Sequence, residues 1–172
     1  MEKQIIIHEL TVKKAEHIDW NSILDILNET GLSFWLAENE KYDSFYIVNE
    51  IETNNSIACF AINKENDIGI LKSFGIRKDK QGKGIGKNII NNEIPKLARE
   101  LKLKKLYLLA DNKEPFTSYS FWKKTIFLEK SFNDKFEDFF KIYINEDERL
   151  HPDFAKTRSP FCLHLKREEN AK

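Results

Sequence analysis

The 172-residue chain has no charge imbalance: 28 lysines and arginines face 28 aspartates and glutamates, for a formal net charge of zero. Such a chain has no overall field to draw it to nucleic acid or to an anionic membrane surface, so neither is expected as a partner. Cysteine is nearly missing, with only Cys59 and Cys162. Cys59 lies in the apolar run Ile57-Ala58-Cys59-Phe60-Ala61, which reads as a buried strand, and a reduced, cytoplasmic protein is expected. No apolar run reaches membrane-spanning length. The charged start Met1-Glu2-Lys3-Gln4 leads toward a strand and does not read as a signal peptide. Repeats and low-complexity tracts are lacking too. His8, His17 and His151 are scattered, as structural histidines usually are, and no metal site is expected.

Glycine is scarce as well, with 6 in the whole chain, yet three of them alternate at Gly82, Gly84 and Gly86. They sit in Phe74-Gly75-Ile76-Arg77-Lys78-Asp79-Lys80-Gln81-Gly82-Lys83-Gly84-Ile85-Gly86-Lys87, which runs from an apolar strand through a turn into a helix. Nearly bare backbone at a helix N-terminus presents N–H groups and the positive end of the helix dipole, a site for an anion and most naturally for phosphate. Lys83 and Lys87 add positive charge. Spacing excludes two familiar phosphate loops. A Walker loop would need glycine at Gln81 and Ser or Thr at Asn88. A dinucleotide fingerprint starting at Gly82 would need glycine at Lys87. The pattern that fits is Q/R-x-x-G-x-G/A, met by Gln81, Gly84 and Gly86. A glycine-rich turn without a ligand is the alternative when the loop is taken alone.

Around this loop the periodicities predict one domain over 1–172, with the recognisable motifs in 67–130 and C-terminal strands and a loop in 131–172. Strands are expected near 4–11, 44–51, 56–63, 68–77, 106–110, from 126, and 160–165. A helix capped by Asp19 or Asn21 carries Ile23, Leu24 and Leu27 on one face and ends at Gly31. A second helix carries Ile85, Ile89, Ile90, Ile94, Leu97, Ala98 and Leu101, with a kink or short break near 91–94 because Pro95 interrupts it. A short helix over 117–125 carries Tyr119, Phe121 and Trp122. Residues 131–172 are less legible: 136–144 is aromatic-rich, and 146–158 reads as a loop or short helix.

The glycine loop, with the preceding strand Ile70-Leu71-Lys72-Ser73-Phe74-Gly75-Ile76 and the following helix, resembles the acetyl-CoA loop of the GCN5-related N-acetyltransferase (GNAT) superfamily. Ser120-Phe121-Trp122-Lys123-Lys124-Thr125-Ile126-Phe127 is similar to the family's F-Y-x-K-x-G-F segment. It departs from that segment at Trp122, where tyrosine is usual, and at Ile126, where glycine is usual. A second likeness, to arsenic-resistance-type and N-acetylglutamate-synthase-like amino-acid acetyltransferases, rests on Leu71-Lys72-Ser73, Leu106-Tyr107-Leu108-Leu109 and Pro160-Phe161-Cys162. The resemblance implies an α/β (α+β) GNAT-like domain: a mixed, mostly antiparallel sheet, a central splayed parallel strand pair, and helices on both faces.

The resemblance also implies the chemistry, which is acetyl transfer from acetyl-CoA, as co-substrate, to a primary amine of a small molecule. The diphosphate would sit on residues 82–87, with Gln81, Gly82, Lys83, Gly84, Ile85, Gly86 and Lys87 binding the coenzyme. The pantetheine arm would pair with the backbone of Phe74, Gly75 and Ile76, with Trp122 nearby. The Ile76 N–H would polarise the thioester carbonyl. The family's strand-four glutamate base falls at Ile70, so a water chain ending at Glu38, Glu40 or Glu50 would have to serve. The family's general acid falls at Trp122, and indole cannot act as one. Tyr119, one helical turn earlier, either substitutes for it or is a packed aromatic. Strand alternation puts Ile70, Lys72, Phe74 and Ile76 on one face. Lys72 there either pairs with an acceptor carboxylate or snorkels to the edge. Trp20, Phe34, Trp35 and Tyr42 line the acceptor pocket or are packing residues. A homodimer through edge strands is among the expectations. The rivals are a protein lysine or N-terminal acetyltransferase and a non-catalytic acetyl-CoA sensor.

Overall fold

Phe45–Glu50 (β2) and Ser56–Glu65 (β3) carry the densest apolar pattern in the chain, and β2 is buried at every residue. They pair antiparallel, with a register shift at Val48/Asn49. The computed structural model describes residues 9–33, 36, 41–113, 118–150 and 155–165. The other strands are β1 (Leu10–Lys14), β4 (Ile68–Ile76), β5 (Lys105–Asp111), β6 (Leu128–Glu129) and β7 (Arg158–His164). The helices are α1 (Trp20–Glu29), α2 (Ile85–Asn88), α3 (Ile94–Glu100), α4 (Tyr119–Trp122) and α5 (Asp138–Leu150). The strand order is β1-β2-β3-β4-β5-β7-β6. Among the described residues β4 with β5 forms a parallel pair in this mixed sheet, in line with the α/β expectation. The chain forms two compact units. One draws on the chain up to Ile62 and on Ser73–Asn88, the other on Asn63–Lys72 and the chain from Ile89 onward.

In the first unit α1 packs on the sheet through Ile23, Ile26 and Leu27, against Phe45, Ile47, Cys59 and Ala61. Leu24, expected on that face, is only half-buried, and Ile26 takes its place. Asp19 precedes α1, but its Oδ2 accepts from the Glu16 amide at 3.0 Å and so caps the short turn before the helix. Gly31 ends the helix region at φ +73°, a conformation that favours glycine. Of the first strand expected over 4–11, Leu10 and Thr11 lie in β1, which runs on to Lys14. Residues 4–8 lie outside the described ones, and the antiparallel register sets β1 from Leu10 opposite Glu50 to Lys14 opposite Tyr46.

Pro95 acts where the sequence predicts a break. It has no N–H for a helical bond back to residue 91, and its ring crowds that carbonyl. Ile89–Glu93 adopts a wider π-helical turn, and Pro95 then sits in the first turn of α3, where a missing donor does no harm.

In the second unit β5 pairs with β7 along all seven of its residues, from Lys105 opposite His164 to Asp111 opposite Arg158. Its parallel ladder with β4 has only three pairs, Ile68 with Lys105, Gly69 with Leu106 and Ile70 with Tyr107. The aromatic-rich segment that resists reading in sequence is α5. Phe140, fully buried, stacks on Tyr107 with centroids 4.3 Å apart and planes at 10°. Phe136 adds an edge contact to each ring.

Glu137 stitches this layer to β5, accepting from Lys105 Nζ and from the Tyr107 hydroxyl. Burial pushes the Glu137 carboxyl up, but the Lys105 and Tyr107 bonds outweigh it, and the net shift is below the ordinary 4.5. Burial, reinforced by the Glu137 bond, holds the Tyr107 phenol far above its ordinary range. A carboxylate whose folded-state pKa is depressed contributes stability that is complete above its unfolded value and is lost as pH falls through the folded one. Wild type should therefore lose more urea stability than Glu137→Gln between pH 7 and pH values below the ordinary 4.5. Parallel losses in the two proteins would show that Glu137 adds nothing to the pH dependence.

Candidate active site

The turn from β4 into α2 is held at its base by side chains of the first unit. Arg77 donates its amide to Ile57 O (2.9 Å), its Nε to Ser56 O (2.8 Å) and its Nη1 to Glu29 Oε2 (3.2 Å). The Lys78 amide donates to Glu29 Oε1 at 2.7 Å. Lys80 Nζ meets Glu50 Oε1 at 2.7 Å, and Thr53 Oγ1 donates to the other oxygen at 3.2 Å. Gln81 Nε2 donates to Ile76 O at 2.8 Å, tying the loop back to the end of its own strand. Glu29, Glu50, Arg77 and Lys80 as loop anchors escape sequence reasoning, because Glu29–Arg77 spans 48 residues and Lys80–Glu50 spans 30. The local signal was a carboxylate in the last turn of α1, where the helix dipole disfavours it. Glu50, a candidate water-relay base in the sequence, is 9 % exposed, pairs with Lys80 and accepts from Thr53.

Past Gln81 the character changes. Gly82 and Gly84 have φ of +72° and +78°, which favour glycine, and a Cβ at either would meet nothing within 4 Å. The backbone is therefore exposed on an open side. The first helical bond runs from the Asn88 amide to Gly84 O (3.0 Å), so the amides of Ile85, Gly86 and Lys87 precede the ladder. Ile85 is buried and fixes the helix start, while Lys83 and Lys87 are exposed. The predicted loop residues are thus brought together in one turn, with amides and two ammonium groups able to receive an anion.

β4 differs from the sequence expectation in one respect. Ser73 lies at φ +52°, a left-handed residue inside a strand. Strict alternation needs extended backbone throughout, so the shared face assigned to Ile70, Lys72, Phe74 and Ile76 does not carry across Ser73. Lys72 is half-buried just before this residue. Phe74, just after it, leans on Phe60 with centroids 6.4 Å apart. Gly75 is needed for packing: a Cβ there would lie 3.1 Å from Thr30 Oγ1 and 3.2 Å from Ile26 Cγ2 on α1.

In the second unit Tyr119 opens α4. Its hydroxyl donates to Glu129 Oε2 at 2.8 Å and accepts from Lys123 Nζ at 3.2 Å. Trp122 is 6 % exposed and makes edge contacts with Phe121 and Phe127, at 5.2 and 5.5 Å. Trp35, Phe34, Glu38 and Glu40 lie outside the described residues. Among the described residues no three His, Cys, Asp or Glu side chains gather as metal ligands would.

No protein-family model matches the chain, and no curated protein matches it in sequence. Solved structures do match. The N-acetylglutamate synthase of Neisseria gonorrhoeae, complexed with coenzyme A and N-acetyl-glutamate, superposes with a TM-score of 0.69 at 15% identity, over 92% of this chain and 36% of that one. The chain thus spans about a third of that enzyme's length. The spermidine N-acetyltransferase of Vibrio cholerae, in complex with coenzyme A and spermine, matches with a TM-score of 0.63 at 16% identity, over 91% of this chain and 95% of that one. A GNAT-family acetyltransferase of Staphylococcus aureus matches with a TM-score of 0.58 at 10% identity, over 92% of this chain and 100% of that one. The fold is that of the GNAT acetyltransferases.

Proposed function

We propose that this protein is an acetyl-CoA-dependent N-acetyltransferase acting on a primary amine of a small molecule, within the class of amino acids and their analogues. The observation that carries this is the glycine turn. Two left-handed glycines with open space at their Cβ positions are followed by three amides that precede the helix ladder. That cradle fits the diphosphate of coenzyme A, with Lys83 and Lys87 supplying charge. Support for the donor and for a small-molecule amine acceptor comes from fold-mates crystallised with coenzyme A together with N-acetyl-glutamate or spermine, the first of which bears on the amino-acid class.

In this reading the pantetheine arm adds to the edge of β4 beyond Ile70, where the β5 ladder has ended. The Ile76 N–H polarises the thioester carbonyl. The neutral amine attacks that carbon, an N–C bond forms, the C–S bond breaks, the thiolate departs and the proton left on the nitrogen passes to water. An α-amine, with a pKa of about 8, is already partly neutral at pH 7 and needs less help from a base than a lysine amine near ~10.4. That difference favours an amino-acid acceptor for a site with isoleucine at the position of the family's base. Tyr119 serves as the acid only when its hydroxyl leaves Glu129, and Lys72 is the candidate for an acceptor carboxylate as a half-buried cation on β4, not through a face shared with Phe74 and Ile76.

The test is thiol release from acetyl-CoA across a panel of amino acids, polyamines and peptides. Turnover is expected with an amino acid or analogue, and Lys72→Ala should raise that acceptor's KM about tenfold while leaving coenzyme A affinity unchanged. Binding of acetyl-CoA without turnover on any amine would instead mark a sensor, and turnover on peptides alone a protein acetyltransferase.

A further inference from the structure

We propose that Glu29 is a positioning residue for coenzyme binding, holding the glycine turn in shape from the end of α1; the inference rests on the coenzyme A reading above. Glu29 is the last residue of α1, and no basic side chain shares its turn. The carbonyl end of a helix repels a carboxylate, so the position breaks a local rule and calls for compensation elsewhere. Both compensating groups belong to the loop. Arg77 Nη1 reaches Oε2 at 3.2 Å, and the Lys78 amide reaches Oε1 at 2.7 Å. Arg77 in turn grips β3 through Ser56 O and Ile57 O, so one carboxylate joins the end of α1, the start of β3 and the exit of β4.

The loop is thereby divided in two. In its first half, 77–81, three side chains bond to the protein: Arg77 to Glu29, Lys80 to Glu50, and Gln81 to Ile76 O. Its second half, 82–87, carries the left-handed glycines, the amides that precede the helix ladder, and the exposed Lys83 and Lys87. Anchoring the first half leaves little freedom to lose when the second half receives a diphosphate, and such preorganisation adds to affinity. The same division assigns Lys80, although it lies in the basic stretch, to the scaffold and not to the ligand.

The test compares wild type, Glu29→Ala and Glu29→Gln by calorimetry with coenzyme A, well below every melting temperature. It also compares kcat/KM for acetyl-CoA with kcat/KM for S-acetylpantetheine, which has the thioester arm but no diphosphate. Glu29→Ala should weaken coenzyme A about tenfold, and Glu29→Gln, which keeps an acceptor for the Lys78 amide, by less. The acetyl-CoA ratio should fall with the affinity, while the S-acetylpantetheine ratio stays at the wild-type value. A coenzyme A Kd within twofold of wild type in Glu29→Ala would overturn the inference. Equal losses with both donors would overturn it too, as general loosening. Wild-type protein that binds no coenzyme A would fail the coenzyme A reading itself and this inference with it, and that result is distinguishable because it precedes any variant.

Discussion

Gly84→Val is expected to fold and to lose coenzyme A. At φ +78° an L side chain costs about 1–2 kcal/mol, and somewhat more when β-branched. A Cβ at this position meets nothing within 4 Å, so the first side-chain atom adds no clash to that cost. For a domain of this size the strain amounts to a fall in melting temperature of roughly 2–8 °C. The ligand suffers far more. The isopropyl group would stand on the open side of the turn, where a diphosphate must approach the amides of Ile85, Gly86 and Lys87. Relaxing the strain would also move Gly84 O away from the Asn88 amide that starts the helix, 3.0 Å away. Calorimetry should show the coenzyme A Kd raised at least about 100-fold, or about 2.7 kcal/mol. Gly84→Ala, with the strain but less bulk, should fall between. A Kd within threefold of wild type in Gly84→Val would mean that the turn does not hold the diphosphate.

Phe140→Ala is expected to have the largest effect on stability. Phe140 is fully buried, stacked on Tyr107 at 4.3 Å, with Phe136 edge-on at 5.2 Å and Tyr143 at 6.2 Å. Removing a ring from such a cluster loses its transfer free energy and leaves a cavity that the neighbouring rings cannot fill. The usual cost is about 3–5 kcal/mol. Against a total stability of about 5–15 kcal/mol that is a severe loss, and urea titration should show a much lower midpoint. Phe121→Ala, at a side chain 38 % exposed, should cost under about 1.5 kcal/mol by the same measurement. A Phe140→Ala loss no greater than the Phe121→Ala loss would contradict the packing of α5 on β5.

Phe140 also marks where sequence reading runs out. The glycine turn, β2, β3, α1 and the break before Pro95 each follow from a local signal: glycine spacing, period-2 or period-3.6 alternation, a missing amide. α5 carries a signal of the same kind that went unread: Phe139, Phe140, Tyr143 and Ile144 recur at the spacing of one helix face, and they pack with Phe136, just before the helix, in or beside one cluster. Ser73 is a different case. A serine within an apolar strand pattern gives no sign of a left-handed backbone, and the face assigned to Lys72 and Phe74 by alternation fails at that one residue. At the site, the glycines and the lysines of the turn were legible because they are contiguous. The carboxylates that brace it were not, because Glu29 and Glu50 reach it only through the fold.

The most direct measurement is calorimetric titration of wild-type protein with coenzyme A and acetyl-CoA. One site per chain is expected, with a Kd between about 1 µM and 1 mM, the span of ordinary enzyme substrates, and with weakening as salt rises. Titration without saturable heat for either ligand, supported by an unshifted melting temperature in their presence, would contradict the assignment of the glycine turn to a coenzyme diphosphate.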